Sequence, residues 1–275
     1  MATEIAMLHD ISKCTACRAC MVACKQWKDL PADPTPFEGE FQSHAGLSTT
    51  TFNLIKMYES YENNEFRWDF LKFQCMHCGD PACAKACPED ALFKLENGVV
   101  AFDESKCVGC SYCASYCPFG VPKIDQERHK STKCDLCNDR IEAGMVPSCA
   151  QTCTADAIVF GTREEMVKEA HERLEFVKKK FPNAQLYGVD TNDGIKGTSM
   201  MYVLTDKPSK FGLPDEPTVS KSLVVWKDWV HPTGKLLLGA TFGAVVVSAI
   251  SKKVLGKKVH AQHEAEVEVE DRPHN

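Results

Sequence analysis

The sequence predicts an α+β protein made of two related modules and a single C-terminal transmembrane helix. Three observations predict this class. The cysteines fall into four tight groups, short apolar segments recur in the same order after these groups, and residues 234–250 form an apolar run near the end of the chain. The repeated order of cysteine group, short helix and hairpin indicates two modules that face each other about a pseudo-twofold axis.

All sixteen cysteines belong to four consecutive groups, which we call quartets. In chain order the quartets are Cys14, Cys17, Cys20 and Cys24; Cys75, Cys78, Cys83 and Cys87; Cys107, Cys110, Cys113 and Cys117; and Cys134, Cys137, Cys149 and Cys153. The third quartet has the spacing C-x2-C-x2-C-x3-C and precedes Pro118. In bacterial ferredoxins the first three cysteines of such a run bind one iron-sulfur cluster and the fourth binds a second cluster. The quartets therefore predict ferredoxin-like modules that hold four 4Fe-4S clusters.

Zinc is the main alternative for these cysteines. A structural zinc site usually pairs two C-x2-C motifs across a longer spacer, whereas three cysteines at consecutive two-residue gaps are typical of cubane clusters. Disulfide bonds are a poorer use of adjacent C-x2-C motifs. Sixteen thiolates already supply four ligands to each of four clusters, so we interpret His77, inside the second quartet, as a neighbouring or surface group rather than a ligand.

Composition narrows the function. Lys and Arg total 32 and Asp and Glu total 38, which leaves a net charge of −6 and no basic surface for nucleic acid. The first residues lack the basic and apolar segments of a secretory signal, so cluster insertion is expected in the reducing cytoplasm. No catalytic combination, such as a Ser/His/Asp set or a phosphate-binding glycine loop, is legible. We therefore expect electron transfer and no catalytic residues in this chain.

Two segments between the first and second quartets, and one segment between the second and third, predict strands. Residues 51–58 and 66–73 are apolar and aromatic with partial alternation, which favours two strands with Trp68 and the phenylalanines packed in the core. Residues 91–102 predict a hairpin around Asn97-Gly98, because this dipeptide readily takes the positive φ values of a type I′ turn.

A helix is predicted to begin after Thr162, because Thr162 and Glu165 form a candidate capping box. The apolar residues that follow at helical spacing are Met166, Ala170, Leu174, Val177 and Phe181. We expect this stripe to pack on the module. Residues 202–205 predict a short strand, and residues 207–225, which are rich in Pro and Ser, predict an extended linker.

The apolar run of residues 234–250 predicts a membrane span. At ~1.5 Å per residue it reaches about 26 Å, and extension to 226–251 covers a hydrocarbon core of about 30 Å, with Trp226 and Trp229 at one interface. A buried core helix is the alternative. Lysines are more numerous after the run than before it, which predicts a cytoplasmic C-terminus and an extracytoplasmic cysteine-rich part. Residues 252–275 are charged and are expected to be disordered.

The order and spacing of the quartets resemble the four-cluster iron-sulfur subunits of molybdopterin oxidoreductases. The second quartet reads C-x2-C-x4-C-x3-C-P and the fourth reads C-x2-C-x11-C-x3-C. Residues 197–204, Lys207-Pro208, residues 212–214, Trp226 and the apolar run after His231-Pro232 are similar to the beta subunit of membrane-bound formate dehydrogenase. The iron-sulfur subunit of a membrane-bound hydrogenase or of another molybdopterin oxidoreductase is the alternative.

The resemblance implies four ligand sets. Set 1 is Cys14, Cys17, Cys20 and Cys153; set 2 is Cys24, Cys134, Cys137 and Cys149; set 3 is Cys75, Cys78, Cys83 and Cys117; set 4 is Cys87, Cys107, Cys110 and Cys113. Cysteine at position 110, where nitrate reductase subunits have Trp and a three-iron cluster, implies that all four clusters are 4Fe-4S. Set 1 would lie nearest the catalytic subunit and set 4 nearest the membrane.

The resemblance also implies domains and partners. Residues 1–206 would form the four-cluster domain, with one module from about 1–30 and 126–206 and the other from about 70–125. The implied partners are a large catalytic subunit with a molybdenum or tungsten pterin, a cytochrome b membrane subunit that passes electrons to quinone, and the lipid bilayer. The implied location is the cytoplasmic membrane, with a single span.

Overall fold

The computed structural model describes residues 3–37, 39–62 and 64–225 and, beyond them, residues 227, 230, 233, 241, 244–248 and 251. The chain divides into two compact units, Met1–Leu223 and Val224–Asn275. The strands are β1 (Ile5–Asp10), β2 (Asn53–Glu62), β3 (Glu65–Gln74), β4 (Leu92–Lys94), β5 (Val100–Phe102), β6 (Lys123–Asp125), β7 (Lys130–Thr132), β8 (Ile158–Thr162), β9 (Gln185–Tyr187) and β10 (Met200–Leu204). The helices are α1 (Ala19–Trp27), α2 (Ala82–Lys85), α3 (Tyr112–Tyr116), α4 (Asn138–Glu142), α5 (Ser148–Gln151), α6 (Arg163–Lys178) and α7 (Lys221–Val225).

A four-stranded sheet with the order β8-β1-β10-β9 separates two parts of the core. Strand β1 is antiparallel to β8 and parallel to β10, so the start of the chain is held between two segments from its second half. Because side chains alternate along a strand, Ala6 and Leu8 pack with the α6 residues Met166 and Ala170 on one face, whereas Met7 joins the larger core on the other. Strand β10 confirms the strand predicted near residues 202–205.

The hairpin of β2 and β3 confirms the two strands predicted over 51–58 and 66–73, and its ten paired positions extend beyond both. The prediction that its aromatic residues pack in the core is wrong at the tip. Trp68 is 38% exposed and Phe66 is 60% exposed, and the indole N–H of Trp68 donates to Glu59. The reason is that only the base of β3, Leu71 to Gln74, reaches the core, while the rest projects from it.

The hairpin of β4 and β5 is confirmed, but its turn differs from the predicted type I′. Gly98 has a positive φ of 92°, while Asn97 is not among the residues with positive φ. The Gly98 N–H donates to the carbonyl of Leu95, and Leu95 pairs with Val99. A three-residue loop with glycine in the left-handed region also follows the twist of a hairpin, so one positive φ is sufficient.

Helix α6 begins with the predicted capping box. The Thr162 hydroxyl accepts from the Glu165 N–H at 3.2 Å, and the Glu165 carboxylate accepts from the Thr162 N–H at 2.9 Å. The predicted apolar stripe of this helix packs on the sheet. The segment expected to be an extended linker from residue 207 instead contains a 3-10 turn over Pro208–Phe211, and the side chains of Phe211 and Leu213 are buried in the core.

The described residues include no helix that is both long and apolar enough to cross a bilayer. Most of the helix predicted over 226–251, and the tail predicted over 252–275, lie outside the described residues.

Candidate functional site

All sixteen cysteines lie within the described residues and carry free thiols. The disulfide alternative is therefore wrong. Each quartet is split in space, so that cysteines from different parts of the chain approach one another. The electrostatic interactions among the thiols form groups whose members come from different quartets.

The thiols of set 1 meet at the start of α1. The Cys14 thiol interacts electrostatically with those of Cys153 and Cys17, and the Cys20 thiol interacts with those of Cys14 and Cys17. Cys153 approaches because β8, which follows it, pairs with β1, which precedes Cys14. Burial raises the pKa of the Cys20 thiol to about 12, so this environment disfavours a bare thiolate and favours one whose charge is balanced by a metal.

The thiols of set 2 lie between α1 and α5, which pack against each other. The Cys24 thiol interacts with those of Cys149 and Cys137, and the Cys134 thiol interacts with that of Cys24. Burial raises the pKa of the Cys24 thiol to about 12. The Cys137 sulfur lies 3.6 Å from the Ser148 hydroxyl, which can donate to a thiolate.

Set 3 combines cysteines of the second and third quartets. The Cys78 thiol interacts with those of Cys75, Cys83 and Cys117, and burial raises its pKa well above the ordinary value. The Cys83 thiol interacts with the same two partners, Cys75 and Cys117. Thus Cys117 of the third quartet lies with three cysteines of the second.

Set 4 lines a small apolar pocket. The cysteines on its wall are Cys87, Cys107, Cys110 and Cys113. Backbone N–H groups point at its sulfurs: Ala91 donates to Cys87 at 3.2 Å, and Ser131 donates to Cys107 at 3.4 Å. Four convergent thiols, an apolar wall and N–H donors to sulfur fit an iron-sulfur cluster, since such donors tune cluster potentials.

Interactions between sets connect them in a series. Cys20 of set 1 interacts with Cys149 of set 2, Cys134 of set 2 interacts with Cys75 of set 3, and Cys83 of set 3 interacts with Cys113 of set 4. Helix α1 carries Cys20 of set 1 and Cys24 of set 2, and helix α2 carries Cys83 of set 3, with Cys87 of set 4 two residues after its end.

The first C-x2-C motif of each quartet adopts the same backbone conformation. The residue before the second cysteine has a positive φ in every motif, with 55° at Ala16, 48° at His77, 70° at Gly109 and 58° at Leu136. A left-handed residue is costly for all but glycine, so this conformation is imposed by the loop. The four quartets are therefore alike in backbone conformation as well as in cysteine spacing. The residues at these positions are Ala16, His77, Gly109 and Leu136, which share no side-chain type that would have predicted the likeness.

Sequence reasoning missed two buried lysines beside the thiols. Lys72 is 0% exposed and Lys133 is 7% exposed. The Lys133 ammonium donates to the backbone carbonyls of Val100 and Cys134. The Lys72 ammonium donates to the side-chain amide of Gln74. Lys72 lies in a strand of mixed polar and apolar residues, where the pattern predicts an ordinary surface lysine, so no local signal could have found it.

His77, interpreted from the sequence as a neighbouring or surface group, is buried. Its Nδ1 accepts from the Val100 N–H at 3.0 Å, and its Nε2 has no hydrogen-bond partner among the described residues. In the described part of the chain, no three His, Cys, Asp or Glu side chains come close enough together to hold a single metal ion.

Two family models match the part of the chain that carries the quartets. Each is a 4Fe-4S dicluster domain, one over residues 13–91 and the other over residues 66–163. These matches bear out 4Fe-4S clusters as the cofactor class and favour iron over the zinc alternative.

Curated proteins that are similar to this chain align with most of its length. The nitrate-inducible formate dehydrogenase iron-sulfur subunit of Escherichia coli (strain K12) is 37% identical over 247 residues, which cover 88% of this chain and 83% of the relative. The formate dehydrogenase-O iron-sulfur subunit of the same strain is 38% identical over 248 residues, covering 88% and 82%. A formate dehydrogenase iron-sulfur subunit of Haemophilus influenzae is 38% identical over 242 residues, covering 86% and 77%. The chain therefore belongs to the family of formate dehydrogenase iron-sulfur subunits.

Proposed function

We propose that this chain is the electron-transfer subunit of a formate dehydrogenase and that its sixteen cysteines hold four 4Fe-4S clusters. The observation that supports this most directly is the grouping of the thiols. The groups bring Cys153 to Cys14 and Cys117 to Cys78, and every group contains thiols from two quartets. That arrangement matches the exchange of ligands between motifs in two-cluster ferredoxins.

Sets 1 to 4 would each provide four thiolates, and each bound cluster would supply one-electron transfer. The chain's own part is to bury these sites, to balance their charge and to direct donors at the sulfurs. Burial raises the pKa of the Cys20, Cys24 and Cys78 thiols, so these side chains are suited to metal binding rather than to free thiolate chemistry. N–H donors at Cys87 and Cys107 stabilise charge on sulfur.

The serial interactions between sets support a linear relay from set 1 to set 4. Each set interacts with the next through a named thiol pair, Cys20 with Cys149, Cys134 with Cys75 and Cys83 with Cys113. Electron transfer requires short steps between sites, and a row of neighbouring sites provides them. The two ends of the row would then face different partners.

The names of the relatives support a partner that oxidises formate. A formate dehydrogenase iron-sulfur subunit operates with a subunit that oxidises formate, and we propose a molybdenum or tungsten pterin subunit next to set 1. A cytochrome b subunit that reduces quinone would accept electrons from set 4. We further propose that residues 226–251 anchor the chain in the cytoplasmic membrane with the four-cluster domain outside, since this segment is apolar and lysine-rich after its end.

The test is anaerobic purification of the whole complex from its host. We expect about sixteen irons per chain, four for each cubane, and a broad visible absorbance that is bleached by dithionite. Mass spectrometry of the co-purified proteins should identify a pterin-dependent subunit, and formate should bleach the same absorbance. A colourless protein that contains zinc would overturn the proposal, as would iron that dithionite reduces but formate does not.

Location is tested separately. Protease treatment of intact spheroplasts should degrade the four-cluster domain and spare the C-terminal tail. The opposite pattern would contradict the proposed orientation without affecting the cluster assignment.

A further inference from the structure

Lys72 carries a charge at a place where charges are expensive. Its side chain is 0% exposed at the base of β3. The hydrogen-bond partner of its ammonium is the uncharged amide of Gln74. An ammonium ion buried without an opposite charge loses several kcal/mol of hydration and normally gives up its proton. Negative charge near Lys72 would remove this cost.

The surroundings of Lys72 are cysteines. The Gln74 amide accepts from Lys72 through its oxygen, and its nitrogen lies 3.9 Å from the sulfur of Met7, which in turn lies 4.0 Å from the sulfur of Cys149. Lys72 interacts electrostatically with Cys149, Cys20, Cys134 and Cys24. Three of these four thiols belong to set 2.

The imidazole next to Lys72 cannot supply the missing negative charge. His9 is also 0% exposed, and its Nδ1 accepts from the backbone N–H of Lys72 at 3.4 Å. Burial and the Lys72 charge lower the pKa of His9 to about 3, so His9 is neutral. The cysteines are therefore the groups near Lys72 that can carry the opposite charge.

We propose, on the basis of the proposed function, that Lys72 is a positioning charge that raises the reduction potential of the cluster held by Cys24, Cys134, Cys137 and Cys149. Reduction adds one electron, and thus one negative charge, to a site that already carries four thiolates. A fixed cation in a poorly hydrated interior favours the more negative state. The set 4 cluster lies two steps away along the row and should be affected much less.

The second buried lysine, Lys133, has a structural role, and its ammonium is bound differently from that of Lys72. Its ammonium is held by two backbone carbonyls, which satisfy its hydrogen bonds and tie β5 to the fourth quartet. Among the described residues, the Lys72 ammonium has one hydrogen-bond partner, the Gln74 amide, so its charge is less compensated locally and acts more on the sulfurs.

The test compares Lys72→Met with Lys56→Met in the whole complex. Lys56 lies on the neighbouring strand β2, is half-buried, and has the ring of Phe73 3.9 Å below its ammonium rather than a thiol. Each cluster's potential is measured by redox titration followed by electron paramagnetic resonance, a readout that does not depend on turnover. We expect Lys72→Met to lower one potential by about 59 mV or more, which is a tenfold change in a one-electron equilibrium. Lys56→Met should leave all potentials unchanged.

Two further variants make each outcome decisive. Lys72→Gln is a second neutral replacement, and Lys72→Arg retains the charge and should keep the original potentials. Loss of one cluster from both neutral variants, with retention in Lys72→Arg, would show that the charge holds that cluster in place and would overturn the proposal that it sets the potential. Unchanged potentials in a neutral variant with full iron content overturn it, as does loss of every cluster from both neutral variants. Absence of iron from the unmodified chain would instead refute the proposed function.

Discussion

The ion pair between Asp10 and Arg173 joins the strand that leads into the first quartet to helix α6. One carboxylate oxygen of Asp10 accepts from Arg173 Nε at 2.8 Å, and the other accepts from the N–H of Ser12 at 2.9 Å and from its hydroxyl at 2.6 Å. The Asp10 side chain is 4% exposed and the Arg173 side chain is 20% exposed. We predict that Asp10→Asn, which retains the shape of the side chain, weakens the folded state.

The magnitude follows from what remains after the substitution. The amide oxygen of Asn can still accept from Ser12, whereas its NH2 group faces the Arg173 guanidinium and cannot accept from it. Breaking a buried ion pair costs ~3–5 kcal/mol, and a charge-assisted hydrogen bond contributes ~1.5–3 kcal/mol. Because Arg173 is one-fifth exposed, water replaces part of the lost interaction. We expect a loss of about 2 kcal/mol in the free energy of unfolding.

The assay is urea unfolding under anaerobic conditions, followed by far-ultraviolet circular dichroism. Bound clusters make unfolding depart from two states, so the midpoints of variants are compared under identical conditions. The matched control on α6 is Glu172→Gln, which removes an exposed contact to Lys168 at 4.0 Å between side chains that are 62% and 80% exposed. It should change stability by less than about 0.5 kcal/mol. If Asp10→Asn and Glu172→Gln unfold at the same urea concentration, the reasoning is refuted.

Two further predictions concern a cluster loop and pH. Gly109→Ala places a Cβ 2.6 Å from the His129 carbonyl oxygen at a φ of 70°, so iron should fall from about sixteen to about twelve per chain. The control Gly120→Ala, at a φ of 62° with open space around the new Cβ, should keep all of the iron. Equal iron contents in the two variants would contradict this. Burial alone would raise the pKa of the Asp206 carboxyl, but hydrogen bonds from Lys210 and a backbone N–H hold it below its ordinary value. The ionised Asp206 carboxylate thus stabilises the folded state above about pH 4, and this stabilisation is lost below it. The urea midpoint of Asp206→Asn should therefore lie below that of the unmodified chain by a constant amount from pH 8 to 5, and the difference should shrink only under more acidic conditions. A difference that changes near neutral pH would disprove this.

Features that depend on neighbouring residues were predictable. The capping box of α6 involves Thr162 and Glu165, which are three residues apart, and it forms as the pattern indicates. The cysteine spacing likewise indicates cluster chemistry, because a C-x2-C motif brings two sulfurs together through one short loop. Predictions that required knowledge of the core were less successful. Trp68 and Phe66 have the composition of a buried strand, yet they lie on a projecting hairpin.

The sequence by itself determined the ligand type, the number of thiols and the helix and strands near them, because each is encoded in residues close along the chain. Only the tertiary structure decided which thiols meet and what else surrounds them. Cys153 reaches Cys14 because β1 lies between β8 and β10, and Lys72 is buried beside set 2 because the base of β3 enters the core there. Both result from pairing of segments more than sixty residues apart, for which a local pattern carries no information.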